Sequence, residues 1–152
     1  MKNNIKTLSI SALLYLPSAF IGNGFSPVFS VMKETRHSYL PHASLAIFFL
    51  LKLLLDITTG VLTQTLLLYP IWYICYLTSH KSAILSATTF YLLSNTLFFF
   101  TSTISPPTLS GYTTCMLAGL PFYLRSLLAT SIFSLIFLFL KKHHPSLLYY
   151  RA

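Results

Sequence analysis

Residues 82–102, SAILSATTFYLLSNTLFFFTS, form a run of 21 residues without a charged side chain. A transmembrane α-helix needs about 20 predominantly apolar residues, so this run predicts a membrane-spanning helix. The rest of the chain has the same character, with 55% hydrophobic residues, 8% charged residues and a mean hydropathy of +0.71. An ordinary soluble domain carries about 25% charged residues. Two acidic residues among 152 cannot cover a soluble surface, which excludes a soluble globular protein.

The apolar runs on either side predict one all-α domain over residues 1–152, a polytopic membrane bundle of about six transmembrane helices. The second of these is short or irregular, and Pro121 is expected to separate a surface helix at 112–119 from the last span, because proline is tolerated in a first helical turn. The predicted spans are 8–21, 25–32, 43–57, 65–79, 82–102 and 121–140. The first run also fits a signal peptide, with Gly22 to Gly24 as the alternative cleavage site.

The net charge of +8 reflects topology rather than nucleic-acid binding, because the basic residues are scattered between apolar runs instead of gathered on one face. Cytoplasmic segments beside membrane spans collect Lys and Arg. With both termini cytoplasmic, eight of the ten basic residues fall on that side: Lys2, Lys6, Lys33, Arg36, Lys81, Lys141, Lys142 and Arg151. The pattern predicts a multi-pass protein of the cytoplasmic membrane, surrounded by lipid.

Polar residues at membrane depth are costly and are candidate functional groups. In the predicted topology they converge on the external half of the bundle, where they could line a solute pocket with aromatic neighbours. The candidate substrate-binding residues are Asn23, Asp56, Trp72, Asn95, Tyr112 and Arg125. Arg125 would pair with an anionic group of the solute, since its planar guanidinium suits carboxylate or phosphate.

Each candidate also has a structural interpretation. Lys52 and Asp56 lie four residues apart on one helix face and can neutralise each other. Arg125 could extend to the lipid headgroups, and Asn95 could join two helices by a hydrogen bond. Trp72 could belong to an interfacial aromatic belt or to the core.

The residues offer little for catalysis or for a cofactor. Glu34 is expected on the cytoplasmic side and Asp56 on the external side, so the two carboxylates cannot act together. The histidine pairs lack cysteine or carboxylate companions for a zinc site. Neither a GxxxxGK[ST] nor a GxSxG motif is present. The sequence therefore predicts neither an enzyme, nor a bound metal, nor a cofactor.

Several short motifs occur in a recognisable order: Asn23-Gly24-Phe25-Ser26-Pro27, Asp56 followed by Gly60, Ser94-Asn95, the run 106–111 and Leu120-Pro121-Phe122. In this order the chain resembles a group of uncharacterised small bacterial membrane proteins. Those proteins in turn resemble the substrate-binding S components of energy-coupling-factor transporters. The resemblance implies a six-helix bundle with a small-molecule pocket near the outer face. It also implies a separate transmembrane coupling subunit and two ATPases that drive uptake.

Two of the departures of the chain from that pattern bear on its function. Ala129-Thr130 stands where the family has Gly-Asp, so an acidic group is missing. The second span is shortened and followed by charged residues. These departures leave a second hypothesis open, a non-transporting membrane scaffold or assembly protein.

Overall fold

A computed structural model describes residues 15, 27–36, 41–104 and 106–143, and every regular element within them is helical. The predicted first span at 8–21, apart from Tyr15, and the turn with Asn23 lie outside the described residues. The helices are α1 (Val28–Arg36), α2 (Pro41–Thr58), α3 (Leu62–Thr65), α4 (Leu68–Ser79), α5 (Ala83–Thr101) and α6 (Leu109–His143). The described part of the chain thus confirms the all-α prediction.

Helix α5 agrees with the predicted span to within one residue at each end. It starts after Ser82, whose hydroxyl accepts hydrogen bonds from the backbone N–H groups of Ile84 and Leu85. Such an N-cap satisfies amide groups that have no partner within the helix. Helix α5 packs between α4 and α6, and it also contacts α1.

Helix α1 corrects the prediction of a second span at 25–32. It has nine residues, about 14 Å by helical rise, and continues through the charged residues to Arg36. The charges stay helical because they find partners: Glu34 pairs with Lys141 of α6 at 2.8 Å, and Arg36 donates to the carbonyl of Tyr76 at 2.7 Å. Helix α1 contacts α2, α4, α5 and α6, so it forms the centre of the bundle.

Helix α6 corrects the predicted break at Pro121, because one helix of 35 residues passes through that proline. Proline has no N–H to donate to the carbonyl four residues earlier, so the helix lacks one internal hydrogen bond there. Packing against α5 on both sides of Pro121 holds the helix together, through the contacts of Tyr112 with Thr96 and of Tyr123 with Thr88.

The predicted fourth span at 65–79 is divided between α3 and α4, with a turn at Leu66 and Leu67. Helix α2 ends in another turn at Gly60, whose φ of 71° lies in the left-handed region that glycine adopts without strain. These two turns bring the end of α2, all of α3 and the start of α4 together.

Two of the described helices, α5 and α6, are long and apolar enough to cross a membrane by length and composition, fewer than the six crossings predicted. The ends of α1, α4 and α6 meet the start of α5 at one end of the bundle, here called the basic end. It carries Arg36, Lys81 and Lys141. The end of α2, α3, the start of α4, the end of α5 and the start of α6 form the opposite end.

The interior of the bundle contains many small and hydroxyl side chains. Ser86 donates from α5 to the carbonyl of Cys75 in α4 at 2.7 Å, and Ser30 donates from α1 to the carbonyl of Thr130 in α6 at 2.9 Å. Small polar residues at helix contacts allow close approach and supply interhelical hydrogen bonds, as is typical of membrane bundles. The two cysteines, Cys75 and Cys115, are buried free thiols.

Candidate functional site

A cavity of about 540 Å³ lies at the end of the bundle opposite the basic end, where α3, α4 and α5 meet. Helix α2 contributes one lysine to its wall and α6 one phenylalanine. The cavity falls within the range of about 300–1,000 Å³ that small-molecule sites occupy. The lining residues are Lys52, Gln64, Thr65, Leu67, Leu68, Trp72, Phe90, Ser94, Asn95, Leu97, Phe98, Thr101 and Phe122.

The charged part of this wall is held by Asp56, which is 1% exposed and does not line the cavity. Its Oδ1 pairs with Lys52 on the same helix. Its Oδ2 accepts hydrogen bonds from Thr65 at 2.7 Å and from Tyr69 at 3.1 Å. Since Asp56 has three donors, it is satisfied within the protein, and Lys52 presents a positively charged group at the cavity surface.

Aromatic rings form the deep wall of the cavity. The rings of Trp72 and Phe90 lie 4.2 Å apart between centroids, with an angle of 31° between their planes. Phe29 contacts both rings, 5.7 Å from Trp72 and 5.8 Å from Phe90 between centroids, and Phe48 meets Trp72 edge-on at 5.4 Å. Because this cluster joins α1, α2, α4 and α5, it fixes the position of Trp72 and gives the cavity a rigid apolar surface.

A second cavity of about 90 Å³ lies between α5 and α6. It shares four lining residues with the first cavity: Phe90, Ser94, Asn95 and Phe122. The two spaces are therefore neighbours, with these side chains between them.

Asn95 occupies the boundary between the cavities. Its Nδ2 donates to the carbonyl of Tyr91 at 2.8 Å, one turn earlier on α5. Its amide faces Gly119 of α6, where an added Cβ would lie 2.8 Å from the amide carbon of Asn95 and overlap its oxygen. Gly119 is thus the residue that lets Asn95 reach α6.

Further polar contacts join α5 to α6 along the same seam. Tyr91 donates to the carbonyl of Met116 at 2.7 Å, and the hydroxyls of Thr96 and Tyr112 lie 3.2 Å apart. The ring of Tyr112 also meets Phe99 at 5.3 Å. Tyr112 therefore packs α6 against α5.

The structure places the six predicted site residues in different surroundings. Trp72 and Asn95 line the larger cavity, and Asp56 lies directly behind it. Tyr112 lies in the α5–α6 seam, and Arg125 is exposed on α6 and does not line either cavity. Asn23 is outside the described residues.

Five polar lining residues were not among the predicted site: Lys52, Gln64, Thr65, Ser94 and Thr101. Ser94 and Thr101 are seven residues apart on α5, a spacing that places both on one face of a helix. That spacing could have indicated them. Gln64 is one of the few polar residues within the apolar runs, which could have indicated it as well. Thr65 gave no comparable signal, because the turn at residues 66–67 determines where it lies.

Comparison of the chain with known protein families finds one family whose model matches it. The model of a family described as "Family of unknown function (DUF6580)" matches residues 39–147 of the chain. No curated protein and no solved structure matches.

Proposed function

Since the chain belongs to DUF6580, a family of unknown function, we propose a role from its own residues: a membrane-embedded component that binds a small solute for uptake. Its bundle is S-component-like, and a separate transmembrane coupling subunit and ATPases provide the energy. The observation that carries this proposal is the cavity of about 540 Å³, which combines a lysine, two amides and several hydroxyls with an aromatic wall. Concave, mostly apolar sites with a few convergent polar groups are typical of small-molecule binding.

The exposed surface supports a membrane location. Large apolar side chains are exposed along α2, α4, α5 and α6, for example Leu50, Phe100, Leu117 and Leu135, each at least 65% exposed. Soluble monomers rarely expose contiguous apolar patches of more than a few hundred Å². In a lipid environment these apolar side chains contact acyl chains instead of water, so their exposure is not unfavourable.

We place the basic end of the bundle in the cytoplasm and the opposite end outside, as the distribution of Lys and Arg favours. Helix α2, the α3–α4 pair, α5 and α6 then cross the membrane in alternating directions. The predicted span at 8–21 and the short α1, which ends at the basic end and is too short to cross the bilayer by itself, give six passes through the bundle with both termini inside. The larger cavity then lies in the external half of the bundle.

The orientation predicts opposite labelling of two engineered cysteines. On intact cells, a membrane-impermeant maleimide should react with Thr103→Cys, in the α5–α6 connection, and should not react with Lys81→Cys until the cells are lysed. The unsubstituted chain is the control, because Cys75 and Cys115 are buried. Labelling of both positions from the same side would contradict this arrangement.

The proposed function is tested by purifying the full chain from its native membrane and analysing it by mass spectrometry for bound small molecules and for co-purifying proteins. We expect a stoichiometric small molecule together with a coupling subunit and ATPases. Replacing Ser94 with phenylalanine, which fills the cavity, should remove the small molecule. Leu92→Phe, on the exposed face of the same helix, should retain it.

Two results would overturn this proposal. One is a purified chain that carries no small molecule, or that carries the same amount in Ser94→Phe as in the unsubstituted form. The other is a stable complex with a protein unrelated to transport and no coupling subunit, which would establish the scaffold hypothesis instead.

Substitution of Arg125 tests whether the solute binds in the cavity or at the exposed face of α6. Because Arg125 is exposed and does not line either cavity, Arg125→Leu should change neither the solute content nor the free energy of unfolding by more than about 0.5 kcal/mol, as for other surface substitutions. Thermal unfolding and mass spectrometry of the purified variant measure the two quantities. Loss of the solute in Arg125→Leu with an unchanged melting temperature would show that Arg125 binds it.

A further inference from the structure

Arg125 is isolated in a long stretch of uncharged sequence, because residues 82–140 contain no other charged side chain. Contacts of α6 on both sides of it lie inside the bundle. Tyr123 meets Thr88 in the second turn of α5, and the Thr130 carbonyl accepts a hydrogen bond from α1. A guanidinium between these contacts lies at membrane depth, where a charged side chain is costly unless it is paired.

The side chain of Arg125 belongs to an exposed face of α6, here called the Arg125 face. Its residues recur at a spacing of three and four, which keeps them on one side of the helix and is the pattern by which two long helices pack along each other. Apart from the arginine they are apolar. The face comprises Ala118, Pro121, Arg125, Leu128, Ile132 and Leu135, all of them exposed.

The chain itself offers no carboxylate side chain for Arg125. It has two acidic residues, and both are engaged elsewhere. Asp56 is buried and satisfied by three donors, and Glu34 pairs with Lys141 at 2.8 Å. A second copy of the chain would bring the same two occupied groups. A carboxylate that pairs with Arg125 therefore belongs to a different protein.

We propose that the Arg125 face binds a transmembrane helix of another membrane protein, and that an aspartate or glutamate of this helix pairs with Arg125. The planar guanidinium can hold a carboxylate through two parallel hydrogen bonds, and the pair removes an isolated charge from lipid. The inference rests on the proposed function for its membrane location, and in the proposed transporter the partner is the coupling subunit. It does not depend on the cavity.

A photoreactive residue on the Arg125 face tests this contact in the native membrane. Benzoylphenylalanine replaces Leu128, which is one turn from Arg125 and 57% exposed, and the cells are irradiated. We expect cross-linking to a protein whose sequence, identified by mass spectrometry, has an Asp or Glu within an apolar span. The same photoreactive residue at Leu50, on the exposed surface of α2, is the control and should not capture that protein.

Substitutions then test the charge. Arg125→Leu should lower the cross-linking yield by about tenfold or more, because truncating one member of a desolvated charge pair weakens binding at least that much. Lys142→Leu removes an exposed positive charge from the end of the same helix and should leave the yield unchanged. Arg125→Glu should abolish the cross-link, and replacing the partner's acidic residue with arginine should restore it.

Several results would overturn the inference: equal cross-linking in Arg125→Leu and the unsubstituted chain, capture of a second copy, or capture of a protein without an acidic residue in its spans. Adducts with lipid alone would overturn it too, because Arg125 would then bind a phosphate headgroup. The solute-binding proposal is tested separately. Ser94→Phe should lose the small molecule and keep the cross-link, whereas Arg125→Leu should lose the cross-link and keep the small molecule.

Discussion

Asp56→Leu is expected to destabilise the protein by about 3–5 kcal/mol, the cost of breaking a buried ion pair by removing one partner. The substitution leaves the Lys52 ammonium without its carboxylate, in a wall where it has only 19% side-chain exposure. It also removes the acceptor of the hydrogen bonds from Thr65 and Tyr69. The melting temperature of the purified chain in detergent measures the loss.

The pair, rather than either residue alone, is what the bundle requires. Lys52→Met should therefore destabilise strongly as well, because it leaves the Asp56 carboxylate buried without a cation. The double variant Lys52→Met/Asp56→Leu should recover most of the stability, since replacing both members of a buried pair by apolar residues is often neutral or stabilising. Thr58→Val, on the exposed last turn of α2, is the control and should change little.

The double variant also separates stability from binding. If Lys52 contacts the bound solute, the double variant should fold and yet lose the small molecule that co-purifies with the unsubstituted chain. A double variant as unstable as Asp56→Leu would contradict the ion-pair interpretation, because the loss would then come from the shape of the Asp56 site rather than from an unpaired charge.

The sequence predicts some elements of this fold well, for identifiable reasons. Helix α5 agrees to within one residue because Ser82 caps its start and the run that follows contains neither charge nor proline. The spacing of Lys52 and Asp56 indicated that they could pair, and the structure confirms the contact. Both features depend only on residues close together in the chain.

Other features depend on contacts that the sequence does not contain. Pro121 was expected to begin a helix, but it lies inside α6, where packing against α5 compensates for the missing hydrogen bond. The position of Arg125 could not be predicted because α6 is apolar on nearly all sides, so no polar stripe indicates which face points inward. The charged end of α1 stays helical because of partners on α4 and α6, far away in sequence.

Gly119→Ala is expected to destabilise the α5–α6 contact by about 1–3 kcal/mol, the usual cost of inserting a methyl group into a packed site. Its Cβ would overlap the Asn95 side chain, which is held on its other side by the hydrogen bond to the Tyr91 carbonyl. Because Asn95 lies between the two cavities, its displacement should also lower the occupancy of the larger one. Thermal unfolding and mass spectrometry of the co-purifying small molecule measure the two effects.

A second substitution tests whether the overlap with Asn95 is the cause. Shortening that side chain in Gly119→Ala/Asn95→Ala should restore the melting temperature to that of Asn95→Ala alone, because the added methyl group then has space. Ala118→Ser, at the exposed neighbouring position, is the control for changes in α6 away from the contact. If the double variant is destabilised by the sum of the two single substitutions, the residues act independently, and Asn95 does not connect the α5–α6 seam to the cavity. Recovery of stability without recovery of the bound small molecule would show instead that the Asn95 amide itself binds the solute.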